Sequence, residues 1–125
     1  MEPTDLRYHE EHEWIRIDGK QATMGISNFA QDALGDIVFI DMPKVGSTVA
    51  AGQQIGEVES TKTTSSIYTP VSGKIVKINM ELKDHPEVVN AEPYGKGWIA
   101  VIELSDPGQV SGLMTAEQYE AFLKK

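Results

Sequence analysis

The chain contains no cysteine among its 125 residues. This absence excludes disulfides, thiolate catalysis and cysteine-ligated metals together. No apolar run approaches the roughly 18 residues of a membrane-spanning helix, so none is expected. Residues 1–7 have neither the apolar core of a signal peptide nor the Arg-rich amphipathic character of a transit peptide. The default expectation is a cytoplasmic protein, and a mature mitochondrial protein without its presequence also fits.

Basic residues are few: 11 Lys and Arg stand against 19 Asp and Glu, and the formal net charge is −8. A nucleic-acid groove or an anionic membrane is therefore not an expected partner. Hydrophobic residues make up 40% of the chain. This length and composition predict a single domain, residues 1–125, that buries a modest core without covalent staples.

The first half of the chain has strand periods and strong turn signals. An alternating run at 14–17 and a second at 21–26 flank an Asp18-Gly19 turn, which predicts a hairpin. Ser27 or Asn28 is placed to cap a short helix that Gly35 ends. The apolar run at 36–40 predicts a buried strand.

The second half has breakers throughout residues 79–97, which predict a loop-like region, and then an apolar strand at 98–104. Thr115 with Gln118 three residues later forms a capping-box signature. Tyr119, Phe122 and Leu123 follow at helical spacing, so a short C-terminal helix should pack its apolar stripe on the sheet.

A weak internal repeat divides the centre of the chain. Residues 43–49 and 70–76 share Pro, Gly and Val at matching offsets, one segment before Lys62 and one after it. Chance is the alternative, because turns of this composition are common. Taken as a repeat, the pattern predicts a mainly β fold: a flattened barrel or sandwich of short strands with quasi-two-fold halves, plus the short helix and the C-terminal helix.

Lys62 is the most informative residue. No other Lys or Arg lies between Lys44 and Lys74, and small hydroxyl residues follow Lys62 between two strand-like runs, 55–59 and 67–68. This pattern presents one long primary amine at a hairpin tip. A solvated turn lysine is the ordinary alternative. An isolated, uncrowded amine on a projecting turn also suits covalent attachment of a swinging arm.

His9-Glu10-Glu11-His12-Glu13 invites a metal interpretation, but the two histidines are three residues apart just before a strand. Zinc proteases place them four apart on a helix. We therefore predict a solvated acidic face and no metal site. No G-x-S-x-G elbow or nucleophile–base pair is present, so the sequence favours a carrier over an enzyme.

Several ordered blocks across about a hundred residues resemble the H-protein family of the glycine cleavage system. Glu59-Ser60-Thr61-Lys62 resembles the family's lipoylation motif. Biotin carriers place methionines beside the lysine, whereas this chain has threonines there. The other matching blocks are residues 12–14, 25–31, 34–36, 67–73, 86–90 and 93–98.

The resemblance implies a non-catalytic carrier with a lipoyl/biotinyl-type hybrid motif and lipoic acid in amide linkage to Lys62. A lipoate ligase or a lipoyl/octanoyl transferase would attach it. The implied partners are a pyridoxal-phosphate glycine decarboxylase, a tetrahydrofolate-dependent aminomethyltransferase and an FAD- and NAD-dependent dihydrolipoamide dehydrogenase. The carrier would shuttle the aminomethyl group of glycine among them.

The residues implied to hold the arm in a surface cleft include Glu13, Glu59 and Ser66. Two positions depart from the family pattern: Ser66 stands where an acidic residue is usual, and Glu11 where a small or hydroxyl residue is frequent. These departures keep open a related lipoyl carrier for sulfur oxidation or lipoate relay. A third hypothesis is a stand-alone enzyme that acts on lipoyl groups.

Overall fold

The computed structural model describes residues 5–124. The strands in this range are β1 (Arg7–Tyr8), β2 (Glu13–Asp18), β3 (Gln21–Ile26), β4 (Ile37–Asp41), β5 (Thr48–Val49), β6 (Gln54–Ser60), β7 (Thr64–Tyr68), β8 (Gly73–Ile78) and β9 (Ala100–Leu104). The helices are α1 (Asn28–Leu34), α2 (Glu81–Asp84), α3 (Val88–Ala91), a 3₁₀ helix (Pro107–Gly112) and α4 (Ala116–Leu123). None of these helices is long and apolar enough to cross a membrane.

Two antiparallel sheets share one apolar core. The larger has the order β1-β2-β3-β9-β8-β5 and the smaller has the order β4-β6-β7. Ile15 and Ile102 of the larger sheet are buried in the same cluster as Val58 and Ile67 of the smaller sheet. Removing these aliphatic side chains from water is the main stabilising term for such short strands. The mainly β sandwich is confirmed; across the described residues it is two separate sheets and not a closed barrel.

The two repeated segments lie side by side. Thr48 pairs with Lys74 and Val49 with Gly73, antiparallel, in the β5–β8 ladder. Antiparallel neighbours are related by a local two-fold axis, which is the relation expected of two halves with quasi-two-fold symmetry. Strands β4 and β7 are separated in sequence by the same interval as Pro43 and Pro70, and they flank β6 on opposite sides. Lys62 therefore lies between the two matching parts in sequence, in the turn that joins β6 to β7.

The prediction of a buried strand at 36–40 is wrong in part. Strand β4 forms there, but Val38 and Phe39 are 50% and 54% exposed. An irregularity in the pairing with β6 falls between Ile37 and Phe39. A bulge disturbs the alternation of side chains, and β4 is an edge strand with one neighbour, so two successive apolar residues face outward.

The prediction of a loop after Asn79 is also wrong, because α2 and α3 lie in that region. Each is four residues long and buries one side chain, Leu82 in α2 and Val89 in α3. Helices this short have little intrinsic stability, and these two form where an apolar residue packs on the sheets.

The C-terminal helix is confirmed. Thr115 Oγ1 accepts from the Gln118 N–H at 3.2 Å, and Gln118 Oε1 accepts from the Thr115 N–H at 2.9 Å, which closes the capping box. Tyr119 stacks on Tyr8 of β1 with ring centroids 4.6 Å apart. Together with Trp14 these rings form a second apolar cluster, so α4 covers one end of the larger sheet as expected.

Candidate functional site

Lys62 is exposed in the three-residue turn between β6 and β7. The ladder runs up to the Glu59–Thr64 pair, so the hydroxyl residues after the turn belong to β7 and the loop is shorter than the sequence indicated. The Ser60 N–H donates to the Thr63 carbonyl at 2.8 Å. Ser60 Oγ accepts from the backbone N–H groups of Lys62 and Thr63 at 3.3 and 3.1 Å. These hydrogen bonds hold the backbone of the turn in one conformation and leave the Lys62 side chain exposed.

The hairpin tip rests on the loop between α1 and β4. The Thr61 N–H donates to the Asp36 carbonyl at 3.0 Å. Gly35 ends α1 at φ 83° and ψ −157°, a conformation that is essentially restricted to glycine. A Cβ placed there would lie 3.4 Å from Cε of Lys62. The aliphatic part of Lys62 thus passes over backbone that carries no side chain.

Glu59 and Ser66 lie on the same hairpin. Glu59 is exposed on β6 and pairs with Thr64 of β7 and Phe39 of β4. Ser66 is half-buried on β7, opposite Glu57. Glu59 is therefore next to the turn, and Ser66 is about midway down the hairpin.

Glu13 contacts the other end of the hairpin. Its Oε2 accepts from the Tyr68 N–H at 3.0 Å, and its Oε1 is 2.9 Å from His9 Nδ1. Tyr68 ends β7 and pairs with Gln54, the first residue of β6. Strand β7 spans about 13 Å at the usual rise per residue. The structure therefore places Glu13 beyond Ser66, along the strand that begins beside Lys62.

The ionisation of Glu13 and His9 is set by burial and by the hydrogen bond between them. Glu13 is 1% exposed, and desolvation raises its pKa, although the hydrogen bonds from His9 and the Tyr68 N–H oppose the shift. The hydrogen bond to Glu13 raises the pKa of His9, against a smaller opposing effect of burial. A protonated His9 therefore supplies the charge that a buried, ionised Glu13 needs.

A family model described as "Glycine cleavage H-protein" matches residues 6–125. The chain belongs to the glycine cleavage H-protein family. Among its relatives are a glycine cleavage system H protein of Brevibacillus brevis, 51% identical with 98% of both chains covered, and one of Myxococcus xanthus, 52% identical with 98% of this chain and 95% of the relative covered. The crystal structure of a glycine cleavage system H protein from Mycobacterium marinum superposes with a TM-score of 0.90 at 40% identity, covering 98% of this chain and 99% of that one.

Membership of the H-protein family confirms the predicted role of a carrier component of the glycine cleavage system. It also confirms that the chain is not itself the catalyst, because an H-protein bears the cofactor while other proteins of the system do the chemistry. The hypothesis of a stand-alone enzyme acting on lipoyl groups is therefore not supported. The high identity extends over nearly the full length of each relative named here.

The prediction that residues 9–13 form a solvated acidic face is wrong for Glu13, which is buried. The backbone reverses at His12, where φ is 75°, and this turn directs Glu13 into the protein. His12 Nδ1 lies 2.7 Å from the Tyr119 hydroxyl, and burial lowers the pKa of His12. Within residues 5–124 no group of three His, Asp or Glu side chains is arranged to hold a metal ion.

Sequence reasoning gave no role to Asn90 beyond that of a breaker. In the structure its side chain contacts the loop that supports the hairpin tip: its Oδ1 accepts from the Ile37 N–H at 2.9 Å, and its Nδ2 donates to the Gly35 carbonyl at 2.9 Å. The one available signal was its place in the block 86–90, which resembles the family.

Proposed function

We propose that Lys62 carries lipoic acid in amide linkage to its Nζ, and that residues 1–125 act as one lipoyl-carrier domain. The observation that supports this most is the exposure of Lys62 on a turn whose backbone is held by hydrogen bonds. The side chain of Lys62 extends from this turn over Gly35. A modifying enzyme has open access to such an amine. Amide formation removes the positive charge of Lys62.

Lys62 would hold the lipoyl group. Its dithiolane would supply the sulfur that accepts the aminomethyl group of glycine as the decarboxylase releases carbon dioxide; the one-carbon unit would then pass to tetrahydrofolate with release of ammonia, and NAD would reoxidise the dithiol at dihydrolipoamide dehydrogenase. The contribution of this chain is tethering. A reactive group held on a rigid hairpin reaches each partner site at a high effective concentration, and the bound geometry lowers the entropic cost of each transfer.

Ser66 lies on the path that we propose for the resting arm along β7, Glu59 lies at its start, and Glu13 is buried beneath its far end. Ser66 offers a neutral hydroxyl where most of the family has a carboxylate, so it would hold an amine by a weaker, uncharged hydrogen bond. The carboxylate of Glu13 lies where β7 ends, held by His9 and the Tyr68 N–H. It would fix the end of the path by holding the last residue of β7.

The proposed partners are the three enzymes of the glycine cleavage system together with a lipoate ligase or a lipoyl/octanoyl transferase. The net charge of −8 argues against nucleic acid and anionic membrane as partners. The proposed location is the cytoplasm, or the mitochondrial matrix if the chain is a mature organellar form.

Loading from glycine tests the proposal. Wild type, Lys62→Arg and the control Lys44→Arg are first treated with lipoate ligase, ATP and lipoate, and then with labelled glycine and glycine decarboxylase. We expect label on wild type and on Lys44→Arg, and none on Lys62→Arg, because arginine lacks the acylable amine. Lys44 is an exposed lysine outside the hairpin, which makes it a matched control.

Two results would contradict the proposal in different ways. Lipoylation of Lys62→Arg would place the arm elsewhere. A lipoylated wild type that takes no label from glycine would favour the related carrier of another pathway, and Ser66→Asp would then show whether the missing carboxylate is the cause.

A further inference from the structure

Asn90 uses its whole amide in hydrogen bonds. Besides accepting from the Ile37 N–H and donating to the Gly35 carbonyl, its Nδ2 donates to Gln31 Oε1 at 3.0 Å. An asparagine side chain has one carbonyl oxygen and two N–H donors. The amide thus bonds to the middle of α1, to the residue that ends it and to the first residue of β4.

Two of these partners, Gly35 and Ile37, flank Asp36; the two-residue segment Gly35–Asp36 is here called the platform loop. The loop meets the hairpin tip through the Asp36 carbonyl, which accepts from the Thr61 N–H at 3.0 Å, and through the bare face of Gly35 under Lys62. Asn90 holds the residue at each side of Asp36. It therefore fixes the direction of the carbonyl that anchors Thr61.

We propose that Asn90 is a positioning residue for the lipoyl-lysine: it holds the platform loop, and the platform loop holds the tip that carries Lys62. This inference depends on the proposed attachment at Lys62 for its functional meaning. None of these three hydrogen bonds of the Asn90 side chain goes to the tip. Asn90 acts through Gly35 and Asp36, so its loss should loosen the tip while leaving the core of the two sheets in place.

The side-chain chemistry explains why asparagine suits this position. Aspartate would keep the acceptor for the Ile37 N–H, but it has no N–H for the Gly35 carbonyl and would bring two oxygens together. Alanine would leave all three partners without their bond. Asn90→Ala and Asn90→Asp therefore remove different parts of the same contact.

Asn79→Ala is the matched control. The amide nitrogen of Asn79, like that of Asn90, donates two hydrogen bonds; these go to the backbone carbonyls of Lys96 and Trp98, each at 2.8 Å, and Asn79 is buried whereas Asn90 is half-buried. The bonds of Asn79 lie outside the platform loop. A general loss of stability should appear in this variant too, whereas loosening of the tip should not.

The experiment measures hydrogen–deuterium exchange of the Thr61 amide by NMR, relative to amides of β9, which is paired on both sides. In Asn90→Ala and Asn90→Asp we expect this ratio to rise about tenfold, the factor that corresponds to roughly one net hydrogen bond. In Asn79→Ala we expect no change. With lipoate ligase, both Asn90 variants should show a raised KM for the chain and an unchanged kcat.

An unchanged Thr61 ratio in a folded Asn90 variant would overturn the proposal, as would an equal rise in Asn79→Ala. If Asn90→Ala fails to fold, the exchange ratio of Thr61 is measured in Asn90→Asp, which retains the acceptor for the Ile37 N–H, and that ratio decides the question. The exchange measurement uses the unmodified chain, so it can succeed even if Lys62 proves not to be lipoylated. A wild-type chain that is not lipoylated at Lys62 would count against the proposed function, and it would leave the role of Asn90 in holding the tip untouched.

Discussion

At the scale of single residues, the His9–Glu13 pair ties two parts of the chain together. His9 lies in the turn before β2, and Glu13 bonds the last residue of β7 through the Tyr68 N–H. His9 Nδ1 and Glu13 Oε1 are 2.9 Å apart, with side chains 18% and 1% exposed. A pair so little exposed is screened less than a surface ion pair, so its protonation should be measurable in stability.

We predict that stability falls as His9 loses its proton. Because its pKa in the folded protein is raised above the ordinary value of 6.5, the stabilisation is complete below that pH and is lost as pH rises through the folded pKa. Between pH 6.5 and 8 the free energy of unfolding should fall in wild type relative to His9→Gln by about 1 kcal/mol or less. The lowered pKa of His12 acts in the opposite direction, but it is common to both chains and cancels in the comparison. Urea unfolding at a series of pH values measures this.

His85→Gln is the control for that series. His85 lies 3.4 Å from Glu87 Oε1, but both side chains are more than half exposed, at 61% and 64%. An exposed pair contributes little, so this variant should follow the wild-type pH profile. An equally steep profile in His9→Gln would show that another group causes the pH dependence.

Sequence reasoning reached Lys62 because its signal is local: an isolated lysine among small hydroxyl residues between two strand-like runs. The burial of Glu13 has no such signal. Three glutamates stand within residues 10–13, and only the positive φ of His12 and the contact with Tyr68 decide which one is buried. Asn90 was missed for the same reason, since its partners at Gly35 and Ile37 are distant in sequence.

At the scale of elements, α4 is linked to α1 by side chains and not by the backbone. The Tyr119 hydroxyl lies 2.7 Å from Ser27 Oγ and 2.7 Å from His12 Nδ1. Ser27 is the N-cap of α1, and its Oγ accepts from the Ala30 N–H at 3.2 Å. Through this network the C-terminal helix supports the start of the helix whose other end lies under Lys62.

We predict that Tyr119→Phe lowers the free energy of unfolding by about 1–3 kcal/mol, because Ser27 and His12 lose a buried hydrogen-bond partner while the ring packing is kept. Urea unfolding at pH 7 measures the change. Tyr68→Phe is the control, since this half-buried tyrosine lies outside the network. Equal costs for the two variants would contradict a specific contribution from the Tyr119 hydroxyl.

The elements with strong local signals were predicted correctly: the 21–26 strand and the capping box of α4 both form. The prediction of a buried strand at 36–40 was wrong only for Val38 and Phe39, because an apolar run does not reveal that its strand lies at a sheet edge and contains a bulge. The helices α2 and α3 were missed, because their stability comes from burying Leu82 and Val89 and not from propensity.

At the scale of the whole molecule, the acidic surface includes the arm-bearing hairpin. Glu57 and Glu59 are exposed on β6, and Asp41 of β4 is exposed opposite Glu57. Charges of one sign around the reactive arm favour partners whose sites are positively charged, and such attraction acts mainly on the rate of encounter.

We predict that the KM of the aminomethyltransferase for the loaded chain rises about tenfold between 50 and 300 mM salt, because screening weakens long-range attraction. Glu57→Gln should reduce this salt dependence. Glu103→Gln, an exposed change on β9 of the other sheet, should not. A KM independent of salt, or equal effects of the two variants, would show that the acidic hairpin does not guide docking. Steady-state rates at several salt concentrations provide the test.

The most direct test of the carrier account is the mass of the chain taken from its own host. Intact mass spectrometry followed by peptide mapping would show whether Lys62 is modified and by what group. The account predicts one lipoyl amide on the peptide that contains Lys62 and no such group on any other lysine. An unmodified Lys62, in cells that lipoylate their other carrier proteins, would contradict it.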